Sequence, residues 1–217
     1  PLVIDIGSSE IKAGFNNAEA PSLQCPSYIG EAKYNKILRP LNGNFNEEPK
    51  EQFIGNDCED YLGILNLRYP LKNGIFEKEE DIPRIYQHIF YNLNLKDEEI
   101  KDHSLLITEP ILNPKSNRET IASILFEHFN ASSLIFAHQP ILSLFYFACL
   151  SGAVLESGDS TSQVCCIIDG SPIPGTFSRS DLGGADITNY LRILLKKFGV
   201  DYNSQTEFLC VKKIKEN

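Results

Sequence analysis

The sequence predicts an α/β protein built as two related halves that face each other across a cleft. Three observations carry this. Strand-like apolar runs alternate with segments of helical period, the pattern of layered sheet and helix rather than of an all-β or all-helical fold. An antiparallel start is followed by the order strand, helix, strand, helix. One grammar also occurs twice: apolar strand, carboxylate, small-residue turn, second apolar strand. It opens the chain at Val3–Phe15 and returns at Gly152–Ile168.

Val3, Ile4 and Ile6 suit a buried strand, and Ile11, Ala13 and Phe15 alternate in the strand that returns from it. The turn between them, Gly7-Ser8-Ser9, offers backbone N–H groups and two small hydroxyls. Successive N–H dipoles make a concavity that can hold a phosphate. Asp5, at the strand tip, suits a hydrated cation on the same phosphates, because Mg2+ keeps several of its waters. Lys12 can reach those phosphates from the returning strand. Taken alone, the stretch reads as well as an ordinary hairpin with a solvated Asp and Lys.

Leu23–Ile29 is predicted to extend the first sheet. Glu31–Phe53 changes character, and Asn42–Glu51, rich in Asn and Glu, reads as a solvated loop. Phe53–Asp57 ends a strand, and Asp57 is placed to cap the short helix that follows. Leu65–Tyr69 is predicted to return to the first sheet, with Pro70 stopping it. Glu79–Asn94 is an amphipathic helix with Ile82, Ile85, Ile89, Phe90 and Leu93 at helical spacing. Ser104–Thr108 is a buried strand. Ser116-Asn117-Arg118-Glu119 has the capping-box form, which predicts a helix from about Asn117 to Phe129. Leu134–Ala137 is the next strand, and Pro140 suits the first turn of a helix over Ile141–Leu150. This is a ribonuclease-H-like layout. It restarts after Leu150–Gly152, where the halves should meet, with strands Ala153–Glu156, Gln163–Asp169 and Ile173–Arg179. A helix from Gly184 to Phe198 follows, and Glu207–Asn217 is helix-like.

Composition excludes several classes. A net charge of −9 argues against nucleic acid as a direct partner. The longest apolar run, near Pro140–Leu150, is too short to cross a bilayer, so no membrane role is expected. The 6 Cys show neither a C-x-x-C pair nor metal spacing, and read as reduced and mostly buried, as in a cytoplasmic or nuclear protein. The chain begins at Pro1, contains no Met and stops inside a helix-like stretch, so it is expected to be a piece of a longer protein.

The second hairpin, Ser157-Gly158-Asp159-Ser160, is expected to face the first, with Asp5 and Asp159 sharing the hydrated cation. The pair, together with four further segments, resembles the actin family. These segments are Leu67–Ile75, Leu106–Glu119, Leu125–Asn130 and Asp181–Leu191, in the family's order and nearly its spacing. The resemblance implies an actin-like ATPase fold: two ribonuclease-H-like halves around a nucleotide cleft, the second half incomplete here. Residues 1–145 would form the first half, with a small second subdomain at about 31–68. Residues 146–217 would begin the second half, as a third subdomain to about 181 and then part of a fourth. The implied cofactors are ATP or ADP with Mg2+. The phosphates would lie on Gly7, Ser8, Ser9, Lys12, Ser157, Gly158, Asp159 and Ser160, and the rest of the nucleotide on Gly183, Gly184, Lys215 and Glu216. For Lys215 and Glu216 a solvated pair on a helix face is the alternative.

The resemblance makes Gln139 the amide that orients the attacking water, with a simple helix-starting amide as the alternative. Several positions depart from the family, Ala185 standing for a basic residue and Asn73 for a His among them, and three bear on turnover. Glu156 stands for Asp, which moves the charge outward by a methylene. Ser160 stands for Gly, and Gln163 for His. Turnover is therefore expected to be very slow at most. The implied role is a nucleotide-binding actin-related protein, a structural subunit among other proteins of a larger assembly, with actin itself a candidate partner. The setting would be cytoplasmic and cytoskeletal, the cilium included, with the nucleus as alternative. A filament-forming actin with polymerisation-coupled hydrolysis is the first rival and a small-molecule kinase the second.

Overall fold

Leu2–Ile6 (β1) and Glu10–Phe15 (β2) form an antiparallel hairpin that sets Asp5 opposite Lys12, in a computed structural model that describes residues 1–33 and 52–217. Leu23–Pro26 (β3) adds to the free edge of β2. The strand predicted over Leu23–Ile29 is in fact two. Pro26 has no N–H for a ladder, and the chain leaves the first sheet there. Ile29–Ala32 (β4) instead pairs with Gln52–Ile54 (β5) on one edge and Leu65–Arg68 (β6) on the other. These three strands make a separate small sheet, so β6 does not return to the first one. The predicted loop Asn42–Glu51 lies outside the described residues.

A 3-10 helix, Gly55–Tyr61, links β5 to β6. Asp57 lies in its first turn rather than at its cap, where Ile54 stands with no side-chain hydrogen bond. Tyr28, Phe53, Cys58, Tyr61, Leu65 and Leu67 form the small core beneath this sheet. Leu71–Lys72 (β7) and Ile75–Phe76 (β8) close on Asn73 and Gly74, both at positive φ, as a two-residue hairpin turn of this kind requires.

Asp81–Asn92 (α1) buries Ile82, Ile85, Tyr86, Ile89 and Phe90, each such side chain worth roughly 1.5–3 kcal/mol. Asp97–Ile100 (α2) is a short addition that the sequence did not announce. Ser104–Glu109 (β9) runs parallel to β1 and to Ser133–His138 (β10), giving the order β10-β9-β1-β2-β3. Lys115–Glu127 (α3) connects them. It starts at Lys115 after Pro114, so Ser116 is already helical, the expected capping box does not form, and Glu119 pairs with Lys115 at 3.1 Å. Gln139–Tyr146 (α4) begins with its Pro in the first turn and stops earlier than expected, with Ala148 at positive φ just beyond.

Gly152–Ser157 (β11), Ser162–Ile168 (β12), Ser171–Pro172 (β13) and Ser178–Ser180 (β14) form the second main sheet. The strand expected over Ile173–Arg179 is interrupted at Gly175, which has positive φ, and β14 pairs with the opposite end of β12 from β13. Gly184–Lys197 (α5) and Gln205–Glu216 (α6) follow. Ser204 caps α6, accepting from the Glu207 N–H, while the Glu207 carboxylate accepts from the N–H groups of Asn203 and Ser204.

The small sheet is bound to the rest by Ile29 and Ile54, which are buried in the main core, and by contacts on two sides. Arg68 of β6 donates both terminal nitrogens to Asp81, which is fully buried, and its Nε to Glu31 at 3.1 Å. On the far side, Thr206 Oγ1 of α6 donates to Leu62 O at 3.0 Å, and Leu209 packs on the small core. All six cysteines are free thiols: Cys25, Cys58 and Cys165 are buried, while Cys149 and Cys210 are exposed, more than the sequence suggested. No helix among the described residues is long and apolar enough to cross a membrane.

Candidate functional site

The two acid-tipped hairpins do face each other. The turn between β1 and β2 and the turn between β11 and β12 meet at Ser8 and Ser160, whose hydroxyls are 2.6 Å apart. They form one wall of a cleft of about 1020 Å³. That is at the top of the roughly 300–1,000 Å³ range usual for small-molecule sites. Asp5, Gly7, Ser8, Ser9 and Lys12 line it from the first hairpin, and Ser157, Gly158, Asp159 and Ser160 from the second. Gln139, Gly184, Lys215 and Glu216 also reach it; Glu156 and Gly183 do not.

Both turns are held from behind. Ser27, fully buried, donates its hydroxyl to Ser8 O at 2.7 Å and its N–H to Ser9 O at 3.0 Å. Behind the second turn, the first N–H groups of α5 are already engaged: Gly184 N donates to Gly158 O at 2.9 Å and Ala185 N to Asp159 O at 2.8 Å. Gly183 N donates to Asp186 Oδ2 at 2.9 Å. A Cβ at Gly183 would stand 2.4 Å from Asp159 O, so only glycine lets α5 dock this closely. Gly183 and Gly184 therefore support the second hairpin, and these two N–H groups are unavailable to a ligand. The N–H groups of Ser8, Ser9, Asp159 and Ser160, by contrast, have no protein acceptor among the described residues.

Charges are arranged around these donors. Lys12 is turned to Glu10 at 3.1 Å, exposed, rather than into the turn. Burial works against the Glu10 charge, but Gln24 and Lys12 together hold its carboxyl below the ordinary range. The cation between the hairpins is Lys212 of α6, which donates to Ser9 Oγ and lies 3.7 Å from Asp159 Oδ1. Lys215 Nζ donates to Gly184 O at 3.0 Å, and Glu216 is 3.9 Å from it. Tyr69, whose phenol is raised by burial and by Asp159, stays neutral at the rim.

At the base of the cleft a chain of amides joins the halves. Ile111 N–H donates to Gln163 Oε1 at 2.9 Å. Gln163 Nε2 donates to Glu156 Oε2 at 2.6 Å and to Gln139 Oε1 at 3.2 Å. Gln139 Nε2 donates to Asp5 Oδ1 at 3.1 Å, which also accepts from the Thr108 hydroxyl. A backbone N–H can only donate and a carboxylate can only accept, so both amide orientations are fixed by their neighbours. Glu156 is held by Gln163 and the Ser143 hydroxyl, one amide away from Gln139, and does not itself line the cleft.

Comparison with known proteins agrees with the geometry. A family model described as Actin matches residues 1–217. The chain belongs to the actin family. It is 37% identical over 223 residues to an "Actin-like protein" of Neurospora crassa, covering 100% of this chain and 55% of that protein. The chain thus spans about half the length of this curated actin-family relative.

A nucleotide with Mg2+, which the actin family generally binds, fits these residues. Four unengaged N–H groups in opposed turns, with a lysine between them, match a phosphate chain. No three His, Cys, Asp or Glu cluster among the described residues to ligate a metal directly, so a cation here would rest on phosphate and water, with Asp5 and Asp159 accepting from that water. Bound Mg2+ would supply neutralisation of phosphate charge.

Sequence reasoning missed Ser27, Thr108 and Lys212. Thr108 meets Asp5 only because β9 lies parallel beside β1 with Ile4 opposite Ile107. Lys212 precedes Lys215 by three residues, hence lies on the same helix face, and that spacing was the available signal.

Proposed function

We propose that this chain is the nucleotide-binding part of an actin-related protein that holds ATP or ADP with Mg2+ and serves as a structural subunit of a larger cytoskeletal or nuclear assembly. The observation that carries this is the meeting of Ser8 and Ser160 at 2.6 Å, with unengaged N–H groups on both turns. Residues 1–145 and 146–217 act as the two halves that grip the nucleotide, with Lys215 and Glu216 at its base and ribose. Actin-like proteins generally act in protein assemblies, and the other subunits are the expected partners, actin among them.

Hydrolysis is slow or absent in this reading. An attacking water must be held in line by several groups at once. Gln139 keeps a lone pair on Oε1 and an N–H for that water, its amide being oriented by Gln163 and Asp5, but it is one group alone. Glu156 is not in the cleft.

The test is nucleotide binding by the complete protein and by Asp159→Ala, with Mg2+ and with chelator. Asp159→Ala should lower the Mg2+-dependent part of the affinity at least tenfold, about 1.4 kcal/mol. Nucleotide retention unchanged in this variant would remove the site.

A further inference from the structure

We propose that Ser27 is a positioning residue for phosphate: its two bonds to the first turn aim the N–H groups of Ser9 and Glu10 into the cleft. The inference rests on the nucleotide-binding reading above and deepens it.

A trans peptide is planar, so its C=O and N–H point in opposite directions. The Ser27 hydroxyl donates to Ser8 O at 2.7 Å, and Ser8 O shares a peptide plane with the Ser9 N–H. The Ser27 N–H donates to Ser9 O at 3.0 Å, and Ser9 O shares a plane with the Glu10 N–H. Each bond therefore turns one N–H to the face away from Ser27. That face is the cleft: Ser9 and Glu10 line it, whereas Ser27 is fully buried and does not. The Ser9 N–H has no protein acceptor among the described residues. The hairpin closes through the Gly7 N–H on Glu10 O at 2.9 Å, with no return bond from the Glu10 N–H.

Ser27 is a firm support because its neighbours are set in two cores. Cys25 packs in the main core and Tyr28 in the small one, and Tyr28 O accepts from the Gly55 N–H at 3.1 Å. The other contacts on the turn hold side chains: Ser160 meets Ser8 Oγ, and Lys212 meets Ser9 Oγ. Neither fixes a peptide plane. Serine is mostly an exposed residue, and a buried hydroxyl is costly unless it is bonded. Pairing of this segment with the turn needs only the Ser27 N–H. The hydroxyl is an addition, and Ser8 O is the group it serves.

Ser27→Ala removes the hold on the Ser8–Ser9 plane and keeps the hold on the Ser9–Glu10 plane. Loss of one neutral hydrogen bond corresponds to about three- to tenfold in affinity. The loss should fall on phosphate alone, since the turn offers its N–H groups to nothing else. Ser27→Cys keeps a weaker donor of similar size and should lose less.

The experiment is titration of the complete protein with Mg2+ and ADP, and separately with adenosine, read by calorimetry on the wild type, Ser27→Ala and Ser27→Cys. Urea unfolding without ligand shows that each variant is folded; if Ser27→Ala is not, Ser27→Cys carries the same comparison. ADP affinity should fall about three- to tenfold in Ser27→Ala and less in Ser27→Cys. Adenosine, which has no phosphate, should bind all three proteins alike or none of them. With ADP bound, amide exchange at Ser9 should quicken in Ser27→Ala while Ser160 keeps its wild-type rate. Unchanged ADP affinity in Ser27→Ala overturns this inference alone. An equal loss for adenosine, or an equal quickening at Ser160, also overturns it, because Ser27 would then support the fold as a whole. Failure of the wild type to bind ADP at millimolar concentration overturns both this inference and the function on which it rests.

Discussion

Replacing Gln163 by Leu should destabilise the protein by about 3 kcal/mol. Gln163 is 4% exposed and uses its amide in three directions. The bond to the Glu156 carboxylate is charge-assisted, in the range of roughly 1.5–3 kcal/mol, and the bonds to Ile111 N–H and Gln139 are neutral, at roughly 0.5–1.5 kcal/mol each. Their sum is an upper bound, because Leu keeps most of the volume and contributes apolar contact. The decisive part is what remains: the Ile111 N–H is left buried without an acceptor, and Gln139 Oε1 loses its donor. Urea unfolding of the complete protein with saturating ligand measures the effect, and amide exchange at Ile111 localises it. Gln163→Glu provides the control: it keeps the acceptor for Ile111 but sets a second carboxylate beside Glu156, so its loss should grow as pH rises through the carboxylate range. A loss below about 1 kcal/mol for Gln163→Leu, with protection at Ile111 unchanged, would falsify the amide chain as a link between the halves.

Single-turnover measurement with bound ATP should find phosphate release very slow in the isolated protein, since Glu156 does not line the cleft to help Gln139 hold the water; rapid release abolished by Gln139→Ala would refute that account. Burial raises Cys25 to about 11 and Cys58 to about 12 from the ordinary thiol value of 9.0. Above pH 9 the unfolded chain has then lost thiol protons that the folded one keeps, so stability should fall as pH rises through 9 to 11, read from urea midpoints; a flat profile would contradict it. Native alkylation at pH 8 should modify Cys149 and Cys210 and spare Cys25 and Cys58, as read by peptide mass spectrometry. The acidic segment Asn42–Glu51 offers little apolar surface beyond Phe45, so the protein should stay in the supernatant on ultracentrifugation with ATP, Mg2+ and salt; filaments in the pellet would reverse this.

The α/β class and the paired hairpins were legible because they depend on local pattern: strand periodicity, a carboxylate at a strand tip, small residues in a turn. The small sheet was not. Leu65–Arg68 has the composition of any buried strand, and its choice of Ile29–Ala32 over the first sheet is a long-range pairing that no window of sequence contains. The same holds within the site. Gln139, Gln163 and Glu156 were each singled out, but singly, as groups presented to a water. Their mutual bonds depend on α4, β11 and β12 converging, and those bonds tie Glu156 to Gln163 and Ser143. Gly183 and Gly184 were singled out as nucleotide contacts; Gly184 does line the cleft, while the tight docking of α5 on Asp159 was not legible. Ser116–Glu119 had a capping pattern whose helix simply begins earlier, after Pro114.

Helix α6 reaches across to the small sheet through Thr206 and Leu209, while the amide chain joins the halves through Gln139 and Gln163. The cleft is thus bordered by two separate links, one of them a chain of amides and the other a hydroxyl bond with an apolar contact. Together with Lys212, which bonds Ser9 from the same helix, the Thr206 and Leu209 contacts tie α6 to both parts of the first half. One helix thus carries the cation of the cleft and also touches the small sheet, so a change in the small sheet bears on the position of that cation through a single rigid element.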